Sequence, residues 1–270
     1  MNAPRSFLIA ITVFSLAGFC AHPESNAAEP IRLRVLSYNI HHAEGIDRKL
    51  DLERIAGVIR SVEPDLVALQ EVDQKVKRTQ VVDQSGELAK LTRLQVVFGA
   101  NIELQGGHYG NAVLSRFPVS RHENHLLPNI DESEQRGVIE AEIKIPDLDM
   151  SLLLLATHLD YRADERERLA SAKVINELAA QHPNQPALLA GDLNATHNSK
   201  TLQQLETMWT RANEKPMATV PVNQPDKQID FILYRPANRW KVVEVKVLDE
   251  AVASDHLAIF AVLELLTSKE

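Results

Sequence analysis

Several apolar, strand-like runs of this chain end in polar side chains that could handle a metal ion or move a proton. Asp192 and Asn194 directly follow the apolar run 188–190 and Gly191. In extended backbone alternate residues point the same way, so these two side chains are predicted to face one pocket. A carboxylate beside a carboxamide suits the handling of a metal-activated water next to a phosphoryl oxygen. Taken alone, however, Gly-Asp-Leu-Asn is more typical of a turn.

The same arrangement recurs along the chain, and this repetition favours a site over a turn. Together the strand ends provide four carboxylates, two carboxamides and two imidazoles: Asn39, Glu71, His158, Asp192, Asn194, Asp230, Asp255 and His256. Oxygen-dominated ligation favours Mg²⁺ or Mn²⁺ over Zn²⁺. Such a set can neutralise phosphoryl oxygens, position a water and protonate a leaving oxygen, as phosphoryl transfer requires.

Length and composition limit the classes of protein to consider. The chain has 270 residues, of which 44% are hydrophobic, enough for one large α/β domain or two small ones. Because no linker is visible, one domain is favoured. The formal net charge of −8 opposes non-specific binding of a long polyanion and favours a small or local phosphate substrate. The low aromatic content, 5%, provides no stacking platform for single-stranded nucleic acid.

The N-terminus has the order of a secretory signal peptide. Arg5 precedes an apolar run over 7–19, and small and polar residues follow. The run is shorter than the roughly 20 apolar residues that span a bilayer. We therefore expect a cleaved signal peptide over 1–28, an exported (periplasmic or secreted) domain over 29–270, and no transmembrane segment after cleavage. The single cysteine, Cys20, lies in the removed segment, so the mature chain is expected to have no disulfide.

Periodicity predicts the elements that position the polar residues. Strands over 32–39 and 66–71 flank a helix that Asp51 caps, which forms a crossover unit. The clearest helix covers 164–180 and begins with a capping-box spacing. The segment 121–137 is predicted to be a loop that overhangs the site. Strands outnumber helices and many are spaced as hairpins, which indicates packed mixed sheets with helices outside.

Seven segments resemble, in order, the motifs of the endonuclease/exonuclease/phosphatase superfamily. They are Ser37-Tyr38-Asn39-Ile40, Leu69-Gln70-Glu71-Val72, Gly110-Asn111-Ala112-Val113-Leu114-Ser115-Arg116, Thr157-His158-Leu159-Asp160, Gly191-Asp192-Leu193-Asn194, Ile229-Asp230-Phe231 and Ser254-Asp255-His256. The superfamily includes deoxyribonuclease I-like enzymes, abasic-site endonucleases and neutral sphingomyelinases. The chain most resembles its exported bacterial members, and the resemblance runs from the first strand to the C-terminus.

The resemblance implies a fold and a metal site. The implied fold is a four-layer α/β sandwich, in which two packed mixed β-sheets are flanked by helices. The implied activity is metal-dependent phosphoester hydrolysis. Glu71 resembles the principal ligand of a Mg²⁺ (or Mn²⁺) ion, with Asn39 and Asp255 beside it.

The same resemblance implies the residues that handle water and protons. Asp192 is similar to the residue that orients or deprotonates the attacking water, and Asn194 to the one that steadies the phosphate. His256 resembles the imidazole at the scissile phosphate, with Asp230 holding its other nitrogen. His158 resembles a second histidine that contacts the phosphate or assists proton transfer. Which group is the base and which the acid stays open.

Two further residues are candidates for substrate binding. Asn111 is more typical of loop support than of substrate contact. Arg136 fits either a phosphate clamp, through its bidentate fork, or a surface ion pair. His41 and His42 follow Asn39 closely but lie outside the motifs, so they are interpreted as loop residues.

The sequence thus predicts an exported Mg²⁺- or Mn²⁺-dependent phosphodiesterase. Its substrate would be a nucleic acid, a phospholipid head group or a small phosphodiester, and no protein partner is implied. One alternative is a phosphomonoesterase acting on a sugar or inositol phosphate, which would need more lysines and arginines around the pocket. Another is a non-catalytic module that binds a phosphate ligand, which would lack a catalytic group, whereas all the motif groups are present here.

Overall fold

The structure is a computed structural model that describes Met1 and residues 30–266. The predicted signal peptide, Met1 apart, and Cys20 lie outside the described residues. Within residues 30–266, no helix combines the length and apolar character needed to cross a membrane.

Twelve strands and four α-helices make up the described chain. The strands are β1 (Ile31–Asn39), β2 (Leu66–Gln74), β3 (Gln95–Leu104), β4 (Gly107–Ser115), β5 (Val119–Leu126), β6 (Gly137–Ile143), β7 (Leu152–His158), β8 (Ala187–Asp192), β9 (Thr210–Arg211), β10 (Asp230–Arg235), β11 (Trp240–Val247) and β12 (Ile259–Leu265). The helices are α1 (Leu52–Ser61), α2 (Gln84–Thr92), α3 (Arg166–Ala180) and α4 (Lys200–Leu205).

The strands form two six-stranded mixed sheets. The first has the order β11-β12-β1-β2-β4-β3, and the second has the order β5-β6-β7-β8-β10-β9. Each sheet contains one parallel pair, β1 with β2 and β7 with β8, and its other pairs are antiparallel. Helices α1 and α3 make the crossovers that the two parallel pairs require.

Apolar side chains fill three layers of contact. Alternation along β1 sends Leu33 and Val35 into the core between the sheets, and Leu36 and Tyr38 to the outer face. Helices α1 and α2 pack on that outer face of the first sheet. Helices α3 and α4 pack on the outer face of the second sheet. The order helix, sheet, sheet, helix confirms the predicted four-layer α/β sandwich.

The first crossover unit, β1-α1-β2, follows the prediction closely. The carboxylate of Asp51 caps α1 by accepting a hydrogen bond from the Arg54 amide at 2.9 Å. Ile55, Ala56 and Ile59 on one face of α1 are fully buried.

Two predictions about local structure are wrong. Residues 121–126 of the expected loop 121–137 belong to β5, which pairs antiparallel with β6 at the edge of the second sheet. Most side chains of this edge strand are exposed, so its sequence is polar and conceals the pairing of its backbone. The capping box before α3 is also absent: Glu167 accepts hydrogen bonds from the Ile130 amide at 3.0 Å and the Ser133 hydroxyl at 2.7 Å instead. Glu167 therefore holds the segment after β5 against α3.

Candidate active site

The polar residues predicted from the sequence meet at one end of the two sheets. Asn39, His158 and Asp192 are the last residues of β1, β7 and β8. His158 and Asp192 lie opposite each other in the parallel register. Glu71 lies within β2, beside the end of β1. Strand ends of this kind are where open α/β sheets bind their ligands.

Asp192 is the centre of the cluster. The amide nitrogen of Asn39 donates to Asp192 Oδ2 and to Glu71 Oε1, both at 3.1 Å. His158 Nε2 lies 3.4 Å from Asp192 Oδ2, and His256 Nε2 lies 3.7 Å from it. The other oxygen, Oδ1, accepts a hydrogen bond from the Asn194 backbone at 2.9 Å. One buried carboxylate thus links groups from both sheets.

His256 lies between two carboxylates, and its Nδ1 is 3.0 Å from Asp230 Oδ2. The loop that carries it is tied to β1, because the Ser254 hydroxyl donates to the Asn39 carbonyl at 2.7 Å. Burial by itself lowers the pKa of His256, but the charge and hydrogen bond of Asp230, with the charges of Asp192 and Asp255, raise that pKa to about 10. In this arrangement His256 is an imidazolium at neutral pH.

His158 has the opposite protonation state. Its Nδ1 is 3.1 Å from Nη1 of Arg136, and because a guanidinium can only donate, Nδ1 accepts and Nε2 bears the proton. Burial, reinforced by the charges of Arg136 and His256, holds the pKa of His158 well below its usual value. His158 is therefore neutral, with Nε2–H directed at Asp192. The nearby Nδ2 of Asn194 is also a donor, and it donates to the Leu159 carbonyl at 3.0 Å.

The carboxylates of the site carry more negative charge than the neighbouring cations neutralise. Burial and the charge of Asp230 raise the pKa of Asp192. Burial raises the pKa of Glu71, Asp255 adds to the rise, and the hydrogen bond from Asn39 opposes it. A divalent cation would relieve this repulsion.

The donor set fits such a cation. Glu71, Asp255 and the amide of Asn39 offer the oxygen ligands that Mg²⁺ and Mn²⁺ prefer. Asp192, Asp230 and His256 also offer one ligand atom each, all within 4.8 Å of one another. His256 Nδ1 is already engaged by Asp230, however, so this second group acts as a hydrogen-bonded chain in the structure.

Two of the three predicted metal ligands, Asn39 and Asp255, have oxygen atoms near other protein groups. Asn39 turns its amide nitrogen toward the carboxylates, and its oxygen accepts a hydrogen bond from the His41 backbone at 3.1 Å. A ligand role would require a rotated amide. Asp255 is exposed, and the Ser254 hydroxyl lies 3.4 Å from its Oδ1.

Backbone strain helps to direct two of these side chains. Glu71 has φ of 59° and Asn194 has φ of 47°, in the left-handed region that costs a non-glycine residue about 1–3 kcal/mol. The pairing of β2 with β4 shifts register between Leu69 and Val72, so Glu71 lies in a β-bulge. Bulges redirect a side chain near active sites, and this one turns Glu71 toward the strand ends.

The structure gives the two substrate-binding candidates different roles. Asn111 is buried and donates to the Gly137 carbonyl at 3.0 Å, which joins β4 of the first sheet to β6 of the second. Arg136 is also buried, and its Nη1 contacts Glu134 Oε1 at 2.9 Å as well as His158. Arg136 is thus both an ion-pair partner and a group that positions an imidazole.

His41 and His42, interpreted from the sequence as loop residues, lie beside Glu71. They form a short 3₁₀ turn, and one ring nitrogen of each lies within 4.8 Å of a Glu71 carboxylate oxygen and of the other. Burial, together with the charges of Arg78 and His41, lowers the pKa of His42 to about 4. Two adjacent imidazoles just after Asn39 were the signal that could have identified them.

Comparison with known proteins agrees with this geometry. The model of the Endonuclease/Exonuclease/phosphatase family matches residues 36–256. The chain is 30% identical over 246 residues to the uncharacterised protein YbhP of Escherichia coli strain K12, covering 86% of this chain and 96% of that protein.

One further relative and one solved structure are named for an activity. The chain is 26% identical over 167 residues to a 5'-tyrosyl-DNA phosphodiesterase of Caenorhabditis elegans, covering 59% of this chain and 42% of that protein. A mannosyl-6-phosphatase from Bacteroides thetaiotaomicron has a similar fold, with a TM-score of 0.72, 19% identity, and coverage of 86% of this chain and 99% of that one.

Proposed function

The chain belongs to the endonuclease/exonuclease/phosphatase family, whose members are hydrolases of phosphoesters, and on that premise we propose that it is a divalent-metal-dependent phosphodiesterase. The observation that carries the proposal is the contact of one buried carboxylate, Asp192, with an amide and two imidazoles in opposite protonation states. Water activation and leaving-group protonation need such an acceptor beside such a donor.

The protonation states suggest how the work is divided. Asp192 accepts the proton of the attacking water, since it is the carboxylate next to both imidazoles. His256, charged and held by Asp230, donates to the phosphoryl group, stabilises the charge that develops there, and gives its proton to the leaving oxygen as the bond to phosphorus breaks. Neutral His158 and Asn194 position the phosphate through N–H groups.

Glu71, with Asp255 and a rotated Asn39, would hold the metal. A bound Mg²⁺ or Mn²⁺ supplies electrostatic stabilisation of the phosphoryl oxygens and lowers the pKa of a bound water. The strained bulge that aims Glu71 supports this role, because left-handed backbone at a non-glycine residue is typical of functional positions.

The charges near the site favour a diester over a monoester. A monoester carries an additional negative charge and calls for uncompensated cations. Arg136 reaches the site but is paired with Glu134 at 2.9 Å. Arg78 forms a bidentate pair with buried Asp73, with both distances 2.8 Å. The hydrogen bond with Asp73 raises the pKa of Arg78, and the charge of Glu71 adds to the rise. Because both guanidinium groups are already paired, the site suits the single negative charge of a diester better than the two charges of a monoester.

The relatives support phosphoester chemistry without fixing the leaving group. The nematode relative is a phosphodiesterase, and the Bacteroides structure of similar fold is a phosphatase. The substrates that we propose are a nucleic acid, a phospholipid head group or a small phosphodiester. Export remains a prediction from the N-terminal sequence alone.

The test compares hydrolysis of an aryl phosphodiester and an aryl phosphomonoester in Mg²⁺, in Mn²⁺ and in a chelator. We expect diester hydrolysis that needs the metal and falls by about 10²–10⁴ in His256→Ala and Asp192→Ala, the usual contribution of acid–base assistance. The matched control is His122→Ala, which removes an exposed imidazole on the edge strand β5.

Each outcome of this test bears on a different part of the proposal. Near-wild-type turnover in Asp192→Ala would overturn the mechanism. Preference for the monoester would replace the phosphodiesterase with a phosphatase. Turnover that survives the chelator would refute metal dependence.

A further inference from the structure

Besides the predicted oxygen ligands, Glu71 has two imidazole neighbours that the motifs do not include. One ring nitrogen of His41, one of His42 and one oxygen of Glu71 all lie within 4.8 Å of one another. The ligand atoms around one small cation, each about 2.0–2.2 Å from it, are spaced on this scale. We propose that His41, His42 and Glu71 form a second cation site, selective for divalent transition metals such as Zn²⁺ or Co²⁺.

The hydrogen bonding of His41 leaves a lone pair free for a metal. Its Nδ1 lies 2.9 Å from the carbonyl oxygen of Glu44. A carbonyl can only accept, so Nδ1 bears the proton and Nε2 does not. Metal-ligating histidines are usually oriented in this way, with one nitrogen donating to a backbone carbonyl and the other on the metal.

In His42 the roles of the two ring nitrogens are reversed, and Nδ1 is the atom available to a metal. Its Nε2 lies 3.8 Å from the carboxylate oxygen Oε2 of Glu44, which favours a proton on Nε2. Its Nδ1 is buried and has no hydrogen-bond partner among the described residues. A buried polar atom without a partner is costly, and a ligand would satisfy it. The two rings are 4.5 Å apart between centroids at 64°, so they do not stack face to face.

The backbone holds the pair in a strained conformation. His41, His42 and Ala43 have φ values of 45°, 41° and 60°, three consecutive left-handed residues without a glycine. The turn is fixed from outside, because the Gln84 side chain donates to the His42 carbonyl at 2.7 Å. Strain that is held in place by neighbouring elements is typical of a ligand site.

The donor types decide which ion the site would select. Two imidazole nitrogens and one carboxylate oxygen suit Zn²⁺, Co²⁺ and other first-row metals, whereas Mg²⁺ prefers oxygen ligands. Glu71 would therefore be shared between an oxygen-ligand position toward Asp255 and a nitrogen-ligand position toward the histidines. The proposal concerns metal binding and does not depend on the proposed hydrolysis.

The test is titration of the purified chain with Co²⁺, followed by its visible absorption and by calorimetry. We expect a nitrogen-ligated Co²⁺ spectrum that is lost in the double variant His41→Gln/His42→Gln, with affinity at that position reduced more than about 100-fold. Loss of an outer-shell partner alone costs about 10–100-fold, so loss of two ligands should exceed it. The matched control, His108→Gln/His122→Gln, removes two exposed histidines and should retain the spectrum.

A second measurement needs no variant. Adding Zn²⁺ to the wild-type chain should shift the NMR resonances of His41 Nε2 and His42 Nδ1. An unchanged Co²⁺ stoichiometry and spectrum in a folded double variant, or imidazole resonances unmoved by Zn²⁺, would overturn the proposal. Mg²⁺-dependent hydrolysis without this Co²⁺ site would refute only the second site, and the Co²⁺ site without hydrolysis would refute only the proposed function.

Discussion

The two sheets share one pattern of pairing but end in different chemistry. In the first sheet β12, β1, β2 and β4 pair antiparallel, parallel and antiparallel, and in the second sheet β6, β7, β8 and β10 do the same. A crossover helix on the outer face joins each parallel pair. At the equivalent edge, the first sheet presents Asn39 and Glu71, whereas the second presents His158 and Asp192.

The loops before β6 and β12, which hold equivalent positions in the two sheets, are also similar. Arg136 directly precedes β6 and contacts His158, and His256 shortly precedes β12 and contacts Asp230. Each loop thus brings a cationic group to the site. One scaffold, used twice, places the proposed metal ligands Asn39 and Glu71 on the first sheet and the carboxylates Asp192 and Asp230 on the second, and Asp192 joins the two through Asn39. His256 reaches those second-sheet carboxylates from the loop before β12.

The strongest test of this division removes one carboxylate from each sheet. Asp230→Asn should lower kcat by about 10² or more without changing the metal requirement, because it disturbs the proton held by His256 and the charge beside Asp192 but removes no proposed metal ligand. Glu71→Gln should raise the metal concentration for half-maximal activity at least ~10-fold, because it removes a ligand. The measurement is diester hydrolysis as a function of Mg²⁺ concentration.

The result that matters is the contrast between the two variants. If Asp230→Asn shifts the metal requirement as far as Glu71→Gln does, the sheets do not divide the chemistry. Circular dichroism spectra that match the wild type would show that both variants are folded.

The two histidines provide a second test, of intermediate size. In the metal-free chain, imidazole NMR should show His256 protonated through neutral pH, with a pKa of about 10, and His158 neutral. The pKa of His256 is raised, so its contribution to stability is complete below about 6.5 and is lost as pH rises from there to about 10. The pKa of His158 is lowered, so its penalty appears as pH falls below about 6.5.

Measuring the free energy of unfolding as a function of pH distinguishes the effect of His256 above about pH 6.5 from that of His158 below it. The stability difference between wild type and His256→Gln should shrink between pH 6.5 and 10. Titration of both imidazoles together near pH 6.5 would contradict the opposite environments of the two histidines.

The sequence was sufficient for the fold but only partly for the site. Apolar periodicity identified the buried strands and α1, because a core imposes its period on every side chain. Apolar periodicity did not predict the edge strand β5, because its backbone pairs with β6 while most of its side chains face water. The predicted site residues meet at one edge, yet the bulge at Glu71 depends on pairing with β4, and the backbone at His41 and His42 depends on tertiary contacts such as that of Gln84. No local pattern encodes contacts of that kind.

Two glycines provide the smallest test, one behind each half of the site. A Cβ on Gly191 would lie 2.0 Å from the Thr157 carbonyl oxygen, between β7 and β8. A Cβ on Gly110, which pairs with Val72 at the bulge, would lie 1.9 Å from the Gly99 carbonyl oxygen. Each alanine should lower the unfolding free energy by about 1–3 kcal/mol, the usual cost of overpacking, as measured by urea denaturation.

A control glycine and the kinetic parameters of the two variants make this test specific. Gly57 in α1 has open space around its Cβ position, so Gly57→Ala should stabilise the chain by about 0.5–1 kcal/mol. Because Gly191 and Thr157 adjoin Asp192 and His158, Gly191→Ala should lower kcat at an unchanged metal requirement, whereas Gly110→Ala should shift that requirement through the bulge. If both alanines changed the same kinetic parameter, the site would respond as one rigid unit. That result would contradict separate roles for the two sheets in metal binding and proton transfer.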